Sequence, residues 1–293
     1  MTDDLATMSG WIADDRHPRT VRTDWWIDEI GPASLCVDCS QGARLVSLVV
    51  AGEELLADDG TEKATVFSRG CFAMVPYAGR VESGRFSWRG ADHELPLSAA
   101  PHAAHGVTAD TEWTMTAPGT FDTELDERWP LGGWARQEVR GLSSGLELSL
   151  TVGNDNGAMP ANIGFHPWFR SSVAGRRALL DWPVALAYTE ETPHITSRRL
   201  APRRNEHTWC APSCGFDPVI RWPSLFAMTL SSAEARCWVV HERVGRALCV
   251  EPQTAPGNAL RAGDADVVSP GRPLTLRLCF GFHGEKETDH VAA

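Results

Sequence analysis

The stretch 159-MPANIGFHPWFR-170 sets a histidine between an apolar run and a proline, with Trp168 and Phe169 directly behind. A residue before proline is driven out of the α region, so the backbone at His166 is extended and restrained. A restrained imidazole beside aromatic rings suits a positioned acid or base titrating near neutrality. The plainer alternative is a hydrogen-bonded core histidine. Glu251 is the second group that could move protons. It ends the run 246-RALCVE-251, and Pro252 stops ladder pairing after it. A carboxylate behind Leu-Cys-Val is partly desolvated, which raises its pKa and makes it a better base near neutral pH; otherwise it is a strand-end glutamate in solvent.

Other polar residues break the apolar pattern less sharply. His102 and His105 in 101-PHAAHGVT-108 have a metal-compatible spacing, but no acidic partner follows at a familiar distance. His105, before a glycine in a loop, also suits a hydrogen bond to a ligand hydroxyl. Arg80 lies in 74-MVPYAGRVESGRF-86, a turn-rich loop of the kind that carries binding groups. Asp217 in 214-CGFDPVI-220 is either a turn starter before proline or a bidentate acceptor for sugar hydroxyls. The eight cysteines are scattered, and the two close pairs, Cys36/Cys39 and Cys210/Cys214, lie too far apart for a compact zinc ribbon. Reduced thiols are expected.

The elements that must hold these groups are strands. Leu146, Leu148, Leu150 and Val152 alternate with polar residues in 144-SGLELSLTVGN-154, and Leu274, Leu276, Leu278, Phe280 and Phe282 do so in 272-RPLTLRLCFGF-282. Hairpins are expected over 42–56, turning at Ala-Gly-Glu, over 85–95, turning at Arg-Gly-Ala-Asp, and over 236–254, turning at Glu242 to Gly245. No long segment has helical periodicity with caps. The chain therefore reads as all-β, a single domain over 21–285, with a loose arm at 1–20 and a tail at 286–293.

Bulk properties narrow the partners. A net charge of −11 argues against nucleic acid or an anionic membrane as the main partner. No apolar run is long enough for a membrane span. The acidic first residues lack the pattern of a secretory signal, so the cytoplasm is the expected location.

Taken in order, these pieces resemble the aldose 1-epimerase (galactose mutarotase-like) family. The segments that carry the resemblance are 42-GARLVSLVVAGEELL-56, 76-PYAGRVESGRF-86, 105-HG-106, 164-GFHPWF-169, 216-FD-217 and 251-EPQTAPGNA-259. The resemblance spans roughly residues 24 to 282. It implies a large antiparallel β-sandwich with a sugar site on a concave sheet face. It implies that Glu251 is the base and His166 the acid in anomer interconversion of an aldohexose, with Arg80, His105 and Asp217 binding the sugar and Trp168 beside it. No metal or organic cofactor is implied, and the protein would be a monomer or homodimer. This sequence departs from the family pattern at Gly79, where Asn often precedes the arginine, and at Trp168, where Tyr is usual. An epimerase for phosphorylated hexoses on the same fold is a competing reading, with Arg170 or the cluster Arg198, Arg199, Arg203 and Arg204 as its cationic pocket. A non-catalytic sugar binder is another. A hydrolase would want two carboxylates, and the motifs supply one beside a histidine.

Overall fold

A computed structural model of the chain describes residues 5–14, 19–58, 65–192, 194–203 and 207–284. Two large antiparallel sheets dominate it, of ten and eight strands among the described residues. The larger sheet runs from Ile12–Ala13 and Thr20–Ile27 at one edge to Thr208–Pro212 at the other. At its middle Gly164–Arg170 lies between Cys71–Met74 and Ala247–Gln253. The smaller sheet has Gly145–Gly153 and Leu274–Gly284 at its centre.

The alternating segments form these strands for the reason their sequence gives. Leu146, Leu148, Leu150 and Val152 are all 0% exposed. The register sets Leu146 against Phe280, Leu148 against Leu278 and Leu150 against Leu276. One contiguous apolar core lies between the two sheets. Phe169 of the larger sheet meets Phe280 of the smaller one edge to face, with ring centroids 5.9 Å apart. Two side-chain hydrogen bonds also cross the core: Trp25 Nε1 donates to the Gly145 carbonyl at 2.9 Å and Gln137 Nε2 to the Ala43 carbonyl at 2.8 Å. The sandwich is closed by apolar burial and tied at these points.

All three expected hairpins form: Arg44–Val50 with Glu53–Glu54, Arg85–Trp88 with Ala91–Glu94, and Cys237–Arg243 with Ala247–Gln253. Helix is confined to short turns, the longest being Ala259–Ala262. The arm expected at 1–20 is different in its described part. Ile12–Ala13 extends the large sheet by pairing with Val21 and Arg22, the Ala6 amide donates to the Gly141 carbonyl at 3.1 Å, and Trp11 packs edge-on against Phe121. Ala6, Met8 and Trp11, partly buried against the core, give this segment something to bury, which an acidic composition conceals. The expected tail at 286–293 lies outside the described residues.

Each strand of the large sheet has two fates. On Gly164–Arg170, Phe165 and Phe169 enter the core, while His166 and Trp168 point to the opposite face. On Ala247–Gln253, Leu248 and Val250 enter the core, while Cys249, Glu251 and Gln253 share the face of His166. Truncating Phe169→Ala, wholly buried between the sheets, is expected to destabilise the protein by about 3–5 kcal/mol. Urea denaturation would show this as a lower midpoint with an unchanged slope, and an unshifted midpoint would mean that the intersheet packing described here is wrong.

Candidate active site

The register builds the centre of the site. Gly164 pairs with Gln253 and Trp168 with Cys249, which sets His166 directly opposite Glu251 on adjacent strands. Directly opposed side chains on one sheet face are close neighbours. His166 Nε2 lies 3.2 Å from Glu251 Oε1, and both side chains are almost wholly buried. Glu251 Oε2 accepts a hydrogen bond from Gln253 Nε2 at 3.1 Å. Thr254 closes the same motif onto the histidine strand: its hydroxyl accepts from the Ile163 amide at 2.9 Å, and its own amide donates to the Ile163 carbonyl.

Beneath His166 is a column of rings and charge. Phe72, on the neighbouring strand, stacks on the imidazole at 4.7 Å between centroids. The guanidinium of Arg44 lies 4.8 Å from the centroid of the Phe72 ring. Arg44 is 0% exposed; it donates to the Arg69 and Ala109 carbonyls, and burial lowers its pKa to about 10, so it stays cationic at neutral pH.

These surroundings decide the protonation states. Desolvation raises the Glu251 pKa from the ordinary carboxyl value to about 8, against the nearby Cys249 thiol and the Gln253 amide, which lower it. His166 is pushed well below the usual histidine range, first by desolvation and then by the proximity of His105, His241 and Arg44. A histidine titrating near neutrality was the expectation from sequence; full burial on a ring column, with a cation behind it, favours the neutral imidazole instead. His105 is also held neutral, its pKa lowered to about 3 by desolvation and by Arg80.

The loops bring the remaining groups to the rim. His105 has a left-handed backbone (φ 58°) and contacts His166 edge-on at 4.9 Å. Its Nδ1 lies 2.9 Å from the Met74 sulfur. His102 does not join it: its Nδ1 accepts from the Ser83 amide at 3.2 Å, so the two histidines of 101–108 serve different places. Arg80 follows Gly79, whose φ is +68° and whose hypothetical Cβ would fall 2.8 Å from Gly257 Cα. No larger residue fits this contact between the arginine loop and the PGNA loop, which explains glycine at 79. The Asn258 amide then donates to the Arg80 carbonyl at 2.6 Å and fastens the two loops.

Arg80, His105, His166, Trp168 and Glu251 all line one cavity of about 760 Å³. Asp217 does not. It sits exposed on the loop between Thr208–Pro212 and Val219–Trp222, outside the cavity lining. The loop is held by a hydrogen bond from Trp182 Nε1 to the Phe216 carbonyl at 2.9 Å. Trp168 forms part of the wall: its Nε1 donates to the Phe67 carbonyl at 2.8 Å, and the Arg243 guanidinium covers its ring at 4.2 Å.

Several lining residues were not singled out from sequence. Gln253 carries a buried Oε1 with no protein partner; its place two residues after Glu251 on a strand was the available signal. The hairpin Leu186–Thr192 with Ile195–Pro202 forms one wall and contributes Tyr188, Glu190 and Thr196. Glu190 is close enough to Arg80 to favour its charged form. Of the arginines weighed for a phosphate pocket, Arg198 is tied to Asp264 and to the Gly257 carbonyl. Arg170 is exposed with its Nε donating to the Leu56 carbonyl, and Arg199 is exposed and outside the lining. Arg203 lies over Trp209 at the cavity, and Arg204 lies outside the described residues.

Donor atoms of His105, His166 and Glu251 lie within 4.8 Å of one another, close enough to share one cation. The same crowding suits proton transfer between a carboxylate, an imidazole and a ligand. The eight cysteines, all among the described residues, form no disulfide. No helix of the described residues is long and apolar enough to cross a membrane.

Comparison with known proteins adds to this geometry. Residues 33–208 match the aldose 1-epimerase family. An Escherichia coli protein, YphB, described as uncharacterized, is 25% identical over 149 residues; the match covers 49% of this chain and 51% of that protein, so the chain spans about half the length of this curated relative. Among solved structures, a galactose mutarotase-like protein from Clostridium acetobutylicum superposes with a TM-score of 0.77 at 12% identity, covering 96% of this chain and 99% of the other. Galactose 1-epimerase from Lactobacillus acidophilus NCFM gives 0.71 at 14% identity, covering 97% and 100%. At these identities the likeness is one of fold.

Proposed function

The chain belongs to the aldose 1-epimerase family, and from that premise we propose that it interconverts the α and β anomers of an aldohexose by opening and reclosing the sugar ring. Glu251, as carboxylate, takes the proton of the C1 hydroxyl. The C1–O5 bond breaks as the neutral His166 gives its Nε2 proton to the ring oxygen, leaving the open-chain aldehyde and, transiently, His166 as imidazolate, so that the negative charge has passed from Glu251 to His166. Rotation about C1–C2 presents the other face of the carbonyl. The ring hydroxyl then adds to C1, returning its proton to His166 while Glu251 returns its own to the new C1 hydroxyl. No proton is gained or lost overall, and each group ends as it began.

The observation that carries this reading is the buried contact between His166 Nε2 and Glu251 Oε1 at 3.2 Å, at the floor of a cavity large enough for a sugar. A pure binder has no need of two desolvated proton-transfer groups aimed at one point. Arg80 and His105 supply donors to sugar hydroxyls, and the unpartnered Gln253 Oε1 accepts one. Trp168, its ring centroid 5.3 Å from that of His166, braces the wall beside the imidazole. A phosphorylated hexose is the second reading, favoured by Arg203 at the cavity.

Polarimetry on freshly dissolved α-D-galactose and α-D-glucose tests the proposal. The wild type is expected to accelerate the approach to anomeric equilibrium. His166→Asn, which keeps a neutral polar group of smaller reach, is expected to lower kcat by about 10²–10³-fold with little change in KM. Acceleration on glucose 6-phosphate alone would transfer the conclusion to the phosphorylated reading. Binding of sugars without acceleration of any would overturn the catalytic one.

A further inference from the structure

Cys249 stands two residues before Glu251 and therefore on the same face of its strand. It pairs with Trp168 across the ladder, which puts it diagonal to His166. Its Sγ lies 3.2 Å from His166 Nδ1 and 3.4 Å from Glu251 Oε1, and the residue is 0% exposed. Burial and the nearby Glu251 push its pKa well above the ordinary thiol value, so the sulfur keeps its proton. A thiol has one proton to donate, and a neutral imidazole has one nitrogen free to accept. The nearer acceptor is Nδ1.

We propose that Cys249 is a positioning residue for His166: its S–H donates to Nδ1 and so fixes the imidazole as the Nε2–H tautomer. Nε2 is the nitrogen that faces Glu251. Only with its proton there can a neutral His166 protonate a ring oxygen held between the two groups. The other tautomer would aim a bare nitrogen at the sugar and leave the acid step without a proton. Which ring nitrogen of a histidine is protonated is set by the bond that the other nitrogen makes. Here that bond comes from the strand carrying the base, so acid and base are oriented by one element.

The kinetic part of this inference rests on the acid–base reading above; the tautomer does not. Nitrogen-15 spectra of histidine-labelled protein read it directly, with the His166 signals identified by their absence from His166→Asn. In the wild type, Nε2 is expected to be protonated and Nδ1 bare. Cys249→Ala should give a mixture of tautomers and a kcat lower by roughly 10-fold at unchanged KM. Cys249→Ser, whose hydroxyl donates to the same atom, should restore both. Cys249→Val fills the same space without a donor, and it replaces the alanine variant should that one fail to fold. A pure Nε2–H tautomer in Cys249→Ala or Cys249→Val overturns the proposal. If the wild type accelerates no sugar, the acid–base reading fails, while the tautomer comparison still decides the role of Cys249.

Discussion

Glu251→Gln is expected to lose about 10³-fold in kcat and at the same time to be more stable than the wild type at pH 8. The loss follows from removing the buried carboxyl placed beside His166 to take the C1 proton. The gain follows from desolvation. The Glu251 pKa is raised from 4.5 to about 8 in the folded protein. A carboxyl raised in this way contributes its full share of stability below pH 4.5, where it is protonated in both states. That share is lost as pH rises toward and through 8, because the unfolded chain ionises freely and the folded one does so only against its surroundings. The window is therefore pH 4.5 to about 8, and the loss across it is about 4–5 kcal/mol. Glutamine keeps the shape of the protonated acid, and its carbonyl still accepts from Gln253 Nε2, so its stability should be flat across the window. Urea midpoints at pH 5 and pH 8 for both proteins measure this. The same ionisation sets the activity profile: kcat/KM of the wild type should climb as pH rises toward about 8, where Glu251 becomes a competent base. A wild type equally stable at both pH values, with a flat kcat/KM between them, would mean that Glu251 is not desolvated in the way described.

Gly106→Ala should be the most damaging small substitution near the site. Gly106 has φ +78°, and a Cβ there would lie 2.0 Å from the Val75 carbonyl oxygen. That oxygen cannot retreat, because the Val107 amide donates to it at 2.9 Å. The added methyl must either break this bond or move the loop, and His105 moves with it. A cost of about 3 kcal/mol or more is expected, with a raised KM wherever folded protein remains. Gly175→Ala is the control. Its φ is +75°, but the space beside it is open, so it should cost about 1 kcal/mol from the backbone alone. Denaturation of the two variants side by side separates strain from collision; equal costs would show that the Val75 contact is harmless.

How much of this was legible in the sequence depends on the distance over which each signal acts. The alternation of Leu146, Leu148, Leu150 and Val152 is a local property, and it specified both the strand and its buried face. His166 before proline and Glu251 before proline stood out for local reasons too, and a single register brings them together. Gln253 and Cys249 obey the same two-residue period as Glu251, so their place on the site face was available to the same rule. The Asp217 motif fixes only a turn; contacts remote in sequence, such as the Trp182 hydrogen bond to the Phe216 carbonyl, help hold the loop, and Asp217 lies outside the cavity lining. The His166 pKa was out of reach for a similar reason. It depends on Phe72, His105 and Arg44, which come from three other segments. The hairpin over Leu186–Thr192 and Ile195–Pro202 lacks regular alternation, since its strands slip register at Tyr188 and again at Glu190.

That hairpin forms a two-stranded sheet of its own, outside the hydrogen-bond ladders of the two large sheets. His166, Glu251 and Cys249 belong to central strands locked on both sides by neighbours. Tyr188, Glu190 and Thr196 belong to a flap that can exchange residues without disturbing a single ladder bond beneath the proton-transfer pair. Under the proposed function, selection can thus alter which sugar is accepted while the step performed on it stays the same. Under that function, a change of diet needs mutations in one appendage, and none in the frame.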